Sequence, residues 1–231
     1  MKTMLAACKT VEDEVKAAMD RLELDYPVIW LEGGLHDNID RLRARMREVL
    51  AEAEGRCERL LVSLGYCGGG VSGLTTGRYT TVLPLADDCL SLFLGSMSAR
   101  REAAQVPTYY LTAGWLRHEN SVVANHDRME AQYGPAKAVR MSNLMLKHYR
   151  RFGLVDTGVY DLEAVAGLVA PLAEKLGLGV EELPGDGSWL ERLLTGPHES
   201  EDFLVIPPGG ELGFSQWEAL LLGGGAATPG G

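Results

Sequence analysis

Short apolar runs and amphipathic stretches alternate along the first hundred residues. TMLAAC (3–8), YPVIWL (26–31), RLLVSLGYC (59–67) and YTTVLPLA (79–86) are bounded by polar or glycine-containing segments and predict four strands. Between them, VEDEVKAAMDRL (11–22) carries acidic residues in its first turn, where the helix dipole favours them. IDRLRARMREVLAEAE (39–54) repeats Ile39, Leu42, Met46, Val49 and Leu50 near the 3.6-residue period of an amphipathic helix. DDCLSLFLGSMSARREAA (87–104) predicts the start of a third helix, with Asp87 or Asp88 as its N-cap.

The second half is less regular. TYYLTAGWL (108–116) predicts a strand ending in a turn, residues 126–152 one or two helices interrupted near Gly134-Pro135, and GLVDTGV (153–159) a strand. DLEAVAGLVAPLAEKLGL (161–178) is helical up to a kink at Pro171, SWLERLLTG (188–196) is a short helix, and EDFLVIPPGGEL (201–212) supplies a last strand. Strands alternating with helices predict a Rossmann-like α/β fold, a mostly parallel sheet with flanking helices and an irregular second half. The expected organisation is a single α/β domain over residues 1–222, divisible into lobes of about 1–105 and 106–222, followed by a flexible glycine-rich tail at 223–231.

Composition narrows the function classes. A chain of 231 residues, 46% hydrophobic and 23% charged, can bury a sizeable core. Its net charge of −10 and pI near 5.0 argue against a nucleic-acid partner, because little would neutralise a run of phosphates. The basic residues Arg41, Arg43, Arg45 and Arg47 read as a solvated helix face. No apolar run approaches the ~18 residues that cross a bilayer. The apolar patch of MKTMLAACKT also meets the charged VEDEVK too soon for a secretory signal. A cytoplasmic protein without a membrane partner is expected, with its four cysteines reduced.

Ligands of open parallel sheets bind beyond the carboxyl ends of the strands. On the predicted topology Cys8 ends the first strand, His36 sits in the turn after the second, Cys67 ends the third, and Cys89 lies just past the fourth. Three cysteines and a histidine suit zinc, or alternatively an iron–sulfur cluster. Cys89 is the best single candidate, since a helix N-terminus lowers a thiol pKa. Asp37 and Asp88 adjoin the set, and Asp88 is placed for proton transfer. Each thiol could equally be a small buried hydrophobe.

The loop GYCGGGVSG lacks the lysine of a phosphate loop and runs into a strand. Its Gly68, Gly69 and Gly70 are better explained by a tight turn, or by close backbone approach to a ligand beside Cys67. In TYYLTAGWL alternation turns Tyr109 and Tyr110 to opposite faces, so at most one reaches a site; Tyr110 is taken as the catalytic candidate, against core packing. Asp156 is a further candidate for the same cleft. His118, His126, His148 and His198 form no metal-binding pair and are expected at the surface, and Ser72 has no nearby base for a hydrolase triad.

At these residues the chain resembles the family catalogued as domain of unknown function 1638, from about Leu5 to Glu211. The motifs that carry the resemblance are AAC at Cys8, GLHDN at His36, GYCGGGVSGL at Cys67 and LPLADDC at Asp88-Cys89, then FLGS, PTYYLTAGW and LVDTGVYD. The family's turn usually reads histidine-asparagine-proline where this chain has His36-Asp37-Asn38, and histidine stands where this chain has Asp87. Both departures add carboxylates beside the site. The resemblance implies that Cys8, His36, Cys67 and Cys89 belong together. It also implies an association with corrinoid-dependent methyl transfer and one-carbon metabolism.

The expectation is therefore a metalloprotein, with zinc held by Cys8, Cys67, Cys89 and His36, acting on a small-molecule substrate as a methyltransferase-type enzyme with a corrinoid-protein or methyltransferase partner. The alternatives are an iron–sulfur enzyme, a non-catalytic metal-binding or chaperone module for a corrinoid or metallo-enzyme system, and a nucleotide-binding regulator using the glycine loop.

Overall fold

The computed structural model describes residues 1–213 and Trp217; the tail expected at 223–231 lies outside the described residues. The first half runs β1 (Thr3–Cys8), α1 (Glu12–Arg21), β2 (Val28–Leu31), α2 (Ile39–Ala53), β3 (Arg59–Ser63), β4 (Leu74–Thr75), β5 (Thr80–Pro84) and α3 (Met97–Ala103). The second runs β6 (Thr108–Leu111), α4 (Ala113–Leu116), α5 (Val122–Tyr133), α6 (Pro135–Met145), β7 (Arg151–Asp156), α7 (Leu162–Leu176), β8 (Gly179–Pro184), α8 (Ser188–Thr195), β9 (Phe203–Ile206) and β10 (Glu211–Leu212).

The apolar runs become strands of a sheet covered on both faces, which is why they read as nearly continuous hydrophobic segments. The five-stranded sheet has the order β2-β1-β3-β5-β9. Its first four strands are parallel and β9 closes the edge antiparallel to β5. Leu5 of β1 lies opposite Val28 on one side and Leu61 on the other, and Leu61 opposite Val82, so β1, β3 and β5 end along one edge. A second, all-parallel sheet has the order β6-β7-β8, and β4 pairs with β10 as a small antiparallel ribbon.

Each sheet has its own core. Leu5, Ala6, Leu61, Val62 and Leu83 of the larger sheet are buried with Met46 and Val49 of α2 and with Trp189, Leu190 and Leu193 of α8. Phe152, Leu154, Val165, Val169 and Leu172 form the smaller core. The α/β architecture with mostly parallel strands thus holds, divided between two sheets where the pattern pointed to one. No helix among the described residues is long and apolar enough to cross a membrane.

Several boundaries differ from the sequence pattern. The third apolar run leaves the sheet at Ser63, so Cys67 sits in a tight turn, Cys67–Gly69, beyond the strand. No helix begins at Asp87: residues Ser91–Phe93 make one turn, and α3 starts at Met97 with Ser96 Oγ accepting from Ala99 N at 3.1 Å. Helix α7 continues through Pro171. β8 carries no apolar pattern, because only Leu183 of its six residues is buried, the signature of an exposed edge. The break at Gly134-Pro135 does divide α5 from α6, as the sequence pattern indicates.

The two sheets meet along a seam. Gly114 of α4 lies directly on the main chain after β1, where a β-carbon would overlap the Thr10 carbonyl oxygen. Arg117 Nη2 donates to Asp13 Oδ2 at 2.7 Å, and Asp186 N donates to Phe93 O at 2.6 Å. Thr157, just past β7, donates to Glu14 of α1 at 3.1 Å. Glu14 is only 4% exposed, and burial pushes its carboxyl up from the usual range.

Two glycine substitutions separate seam contact from helix propensity. Gly114→Ala is expected to cost ~1–3 kcal/mol through overpacking. Gly167→Ala, on α7 where a β-carbon meets nothing within 4 Å, should stabilise by ~0.5–1 kcal/mol. Urea unfolding of both variants checks the opposite signs.

Candidate functional site

The carboxyl edge of the larger sheet gathers the residues picked out by sequence. Cys8 is the last residue of β1, and His36 lies in the turn Leu35–Asp37 after β2. Cys67 follows β3, and Asp88 and Cys89 follow β5. The last two segments touch because residue 65 is glycine: a β-carbon there would stand 2.5 Å from Asp88 N. Tyr66 N then donates to Ala86 O and Cys67 N to Asp87 O, each at 2.8 Å, which carries the parallel pairing past the end of the strands. Gly68, Gly69 and Gly70 turn away from this edge. A β-carbon on Gly70 would overlap Leu42 of α2, so the close approach at residue 70 is to a helix.

Burial governs the thiols. Burial first, then the charges of Asp88 and Cys8, pushes the Cys67 thiol up to about 12. Burial first, then Cys67, Cys8 and Asp88, holds the Cys89 thiol well above the ordinary value. The three sulfurs are therefore within electrostatic reach of one another, and Cys67 and Cys89 are protonated at neutral pH. This reverses the expectation that Cys89 gains thiolate character from a helix N-terminus, since no helix begins there. Cys8 Sγ accepts from Thr10 Oγ1 at 3.0 Å.

The expected zinc or iron–sulfur site on Cys8, His36, Cys67 and Cys89 is overturned. Among the described residues no group of three or more His, Cys, Asp or Glu side chains could hold a metal ion. His36 stays in its turn, with Nε2 3.4 Å from Asp37 Oδ1 and its ring 5.4 Å from that of Trp115. The metalloenzyme and metal-chaperone readings rested on that site and fall with it, and with them the metal-dependent form of the methyl-transfer reading.

A large cleft opens between the carboxyl edge of the larger sheet and β6 of the smaller one. Its volume is about 1150 Å³, slightly above the ~300–1,000 Å³ usual for small-molecule sites. Thr10, Asp88 and Cys89 line it from the first sheet. Tyr109, Tyr110 and Thr112 line it from β6 and the residue after, Trp115 from α4, and Leu144 to Tyr149, Leu146 apart, from the end of α6. His36 and Cys89 thus share a cavity, while Cys8, Cys67 and Gly68 to Gly70 are not among its lining residues. Asp156 is not a lining residue either; its Oδ1 accepts from Gly158 N at 3.0 Å.

Several lining groups escaped the sequence pattern. Arg100 of α3 places its guanidinium 5.1 Å from the Tyr110 ring centroid, with Nη2 3.4 Å from Asp88 Oδ2. Asp88 Oδ1 accepts from both the N and Oγ of Ser91, at 2.9 Å each. Asp88 is thereby the anchor of the turn and of Arg100. Tyr109 meets Tyr149 edge-on at 5.2 Å, and Trp115 stacks on His118 at 5.4 Å with rings 3° from parallel. Arg100 sits in the charged stretch SARREAA, which has no one-dimensional feature to mark it as a lining residue.

Two of the histidines expected at the surface are buried instead. His198 Nε2 donates to Leu193 O at 2.8 Å. His126 Nδ1 is 2.8 Å from Ser142 Oγ, and its Nε2 is 3.3 Å from Glu130 Oε2. This serine–histidine–glutamate set has the appearance of a triad, but His126 is 2% and Ser142 3% exposed, and neither lines the cleft. Its role is to join α5 to α6 through a buried hydrogen bond.

A family model described as "Protein of unknown function (DUF1638)" matches residues 30–194. No curated protein and no solved structure matches the chain.

The protonated thiols lead to two measurable properties. At pH 8 Cys67 should react with iodoacetamide roughly 10³-fold more slowly than free cysteine, from its thiolate fraction alone; mass spectrometry of the alkylated peptide measures the rate. The folded state holds protons that the unfolded state releases, so stability is full below about pH 9 and is lost as pH rises towards about 12. Cys67→Ala should make that loss shallower in urea unfolding across the window. A residual slope is expected from Tyr79, whose buried hydroxyl is also pushed up to about 12.

Proposed function

The chain belongs to the DUF1638 family, whose description names no reaction, and we propose from its geometry that it binds a small molecule in the cleft between its two sheets. The observation that carries this reading is the position of the cleft. A cavity of about 1150 Å³ opens at the carboxyl edge of a parallel sheet, where strand ends leave main-chain and side-chain groups turned towards a ligand. Its walls combine aromatic rings with a few polar groups, the composition that orients a ligand while burying most of its surface.

In this reading Tyr110 contacts the ligand through its hydroxyl, and Asp88 acts through Arg100, which it holds over the Tyr110 ring. Cys89 presents a neutral thiol to the cavity. Gly65 and the turn of Gly68 to Gly70 set the path of the chain around the site. The protein works in a reducing compartment such as the cytoplasm, where thiols within reach of one another stay reduced.

A thermal-shift survey of common metabolites tests the reading with a cleft-filling variant, Ala104→Trp, at an exposed position of the lining. A ligand present at a hundred times its Kd should raise the melting temperature of the wild type by about 5 °C or more. The shift should vanish in Ala104→Trp. Equal shifts in both proteins, or none in the wild type, would remove the cleft as the binding site.

A further inference from the structure

The cleft has a polarity that the rest of the molecule lacks. The chain carries a net charge of −10, yet the cavity is lined by Arg100 and Lys147, with the imidazoles of His36 and His148, against the single carboxylate of Asp88. That carboxylate is already engaged: one oxygen takes two hydrogen bonds from Ser91, the other faces Arg100. At 3.4 Å the contact with Arg100 is longer than the ~2.7–2.9 Å of a strong guanidinium–carboxylate bond. The fork of Arg100 is only partly used.

One polar group in this wall is left wanting: Arg100 Nε is buried and has no hydrogen-bond partner. The Tyr110 hydroxyl beside it shares Thr108 Oγ1, which also donates to Val106 O at 2.7 Å and accepts from Arg151 Nε at 2.8 Å. Leaving a buried donor unpaired is unfavourable, and more so where it is charged. The guanidinium groups of Arg43 and Arg59 also have a buried Nε without a hydrogen-bond partner, but neither of them lines the cleft. At Arg100 the partly unpaired guanidinium belongs to a cleft-lining residue and lies over the ring of Tyr110, which lines the same cavity.

Beyond these donors the wall is aromatic, with Tyr109, Trp115 and Tyr149 lining the same cavity. Resting on the cleft reading above, we infer that the ligand is a planar, ring-bearing anion, its oxyanion held by Arg100 and the Tyr110 hydroxyl and its ring set against the aromatic wall. The planar guanidinium fork suits both a carboxylate and a phosphate. Asp88 is a positioning residue in this scheme, since it acts by holding Arg100. Lys147, on an exposed part of the rim, adds long-range attraction without a defined contact.

Three probes of one ring system and different charge test the inference by calorimetry: 2-naphthoate, 2-naphthyl phosphate and 2-naphthamide. At least one anion should bind tenfold or more tightly than the neutral amide, and the tighter of the two identifies carboxylate or phosphate as the group recognised. The preference should fall towards unity in Arg100→Gln, be partly retained in Arg100→Lys, weaken in Tyr110→Phe, and survive in Lys147→Gln. In the wild type it should shrink as sodium chloride is raised, a measurement that needs no variant to fold. Equal binding of the three probes, or a preference that persists in a folded Arg100→Gln, overturns the anion site and leaves the cleft as a ligand site. If none of the probes binds and the metabolite survey also yields no shift in the wild type, the cleft reading fails and this inference fails with it.

Discussion

The close approach of main chains along the seam is the constraint on which this molecule depends. Gly114 rests against the carbonyl of Thr10, so the smaller sheet is pressed onto the turn that follows the first strand of the larger one. On one side of that contact, Arg117–Asp13 and Asp186–Phe93 extend the join. On the other, the sheets part and leave the cleft. Where α4 sits on Thr10 decides how far Trp115 and β6 stand from Cys89 and Asp88, and hence the shape of the cavity. A side chain at residue 114 would need α4 or the Thr10 main chain to shift.

A second close approach, Gly65 against Asp88, orders the floor. It brings the segments after β3 and β5 into register and puts the Cys67 and Cys89 thiols in one another's field. The low-polarity surroundings then decide their chemistry. Burial opposes the charged form, each thiol opposes ionisation of the next, and the result is a set of neutral sulfurs. Proximity of cysteines along a sheet edge is not by itself a metal centre. Metal ligands must turn towards a common point, and the described residues offer no such point.

The difference between Cys67 and Arg100 explains how much of the site was legible. Cys67 stands out in one dimension, as a thiol among glycines after an apolar run, and its place near the strand ends followed from that pattern. The direction of its side chain did not. Arg100 lies in a helix of ordinary charged residues, and nothing near it in sequence marks it. It reaches the cleft because Ser96 caps α3 and Asp88 receives its guanidinium. The same applies to His126, whose surroundings in sequence are polar and whose burial is imposed by the packing of α5 on α6.

Sequence by itself determined the α/β class, the core of β1, β3 and β5, the helical face of α2 and the break between α5 and α6. These follow from local periodicity and from backbone limits at glycine and proline, which act within a few residues. Tertiary structure alone decided that the strands divide into two sheets, that the Cys67 and Cys89 thiols stay protonated, and that an arginine and several aromatic residues line a common cavity. Each of these depends on distances between segments far apart in the chain. Such distances are set by the packing of whole elements and leave no mark on the local pattern.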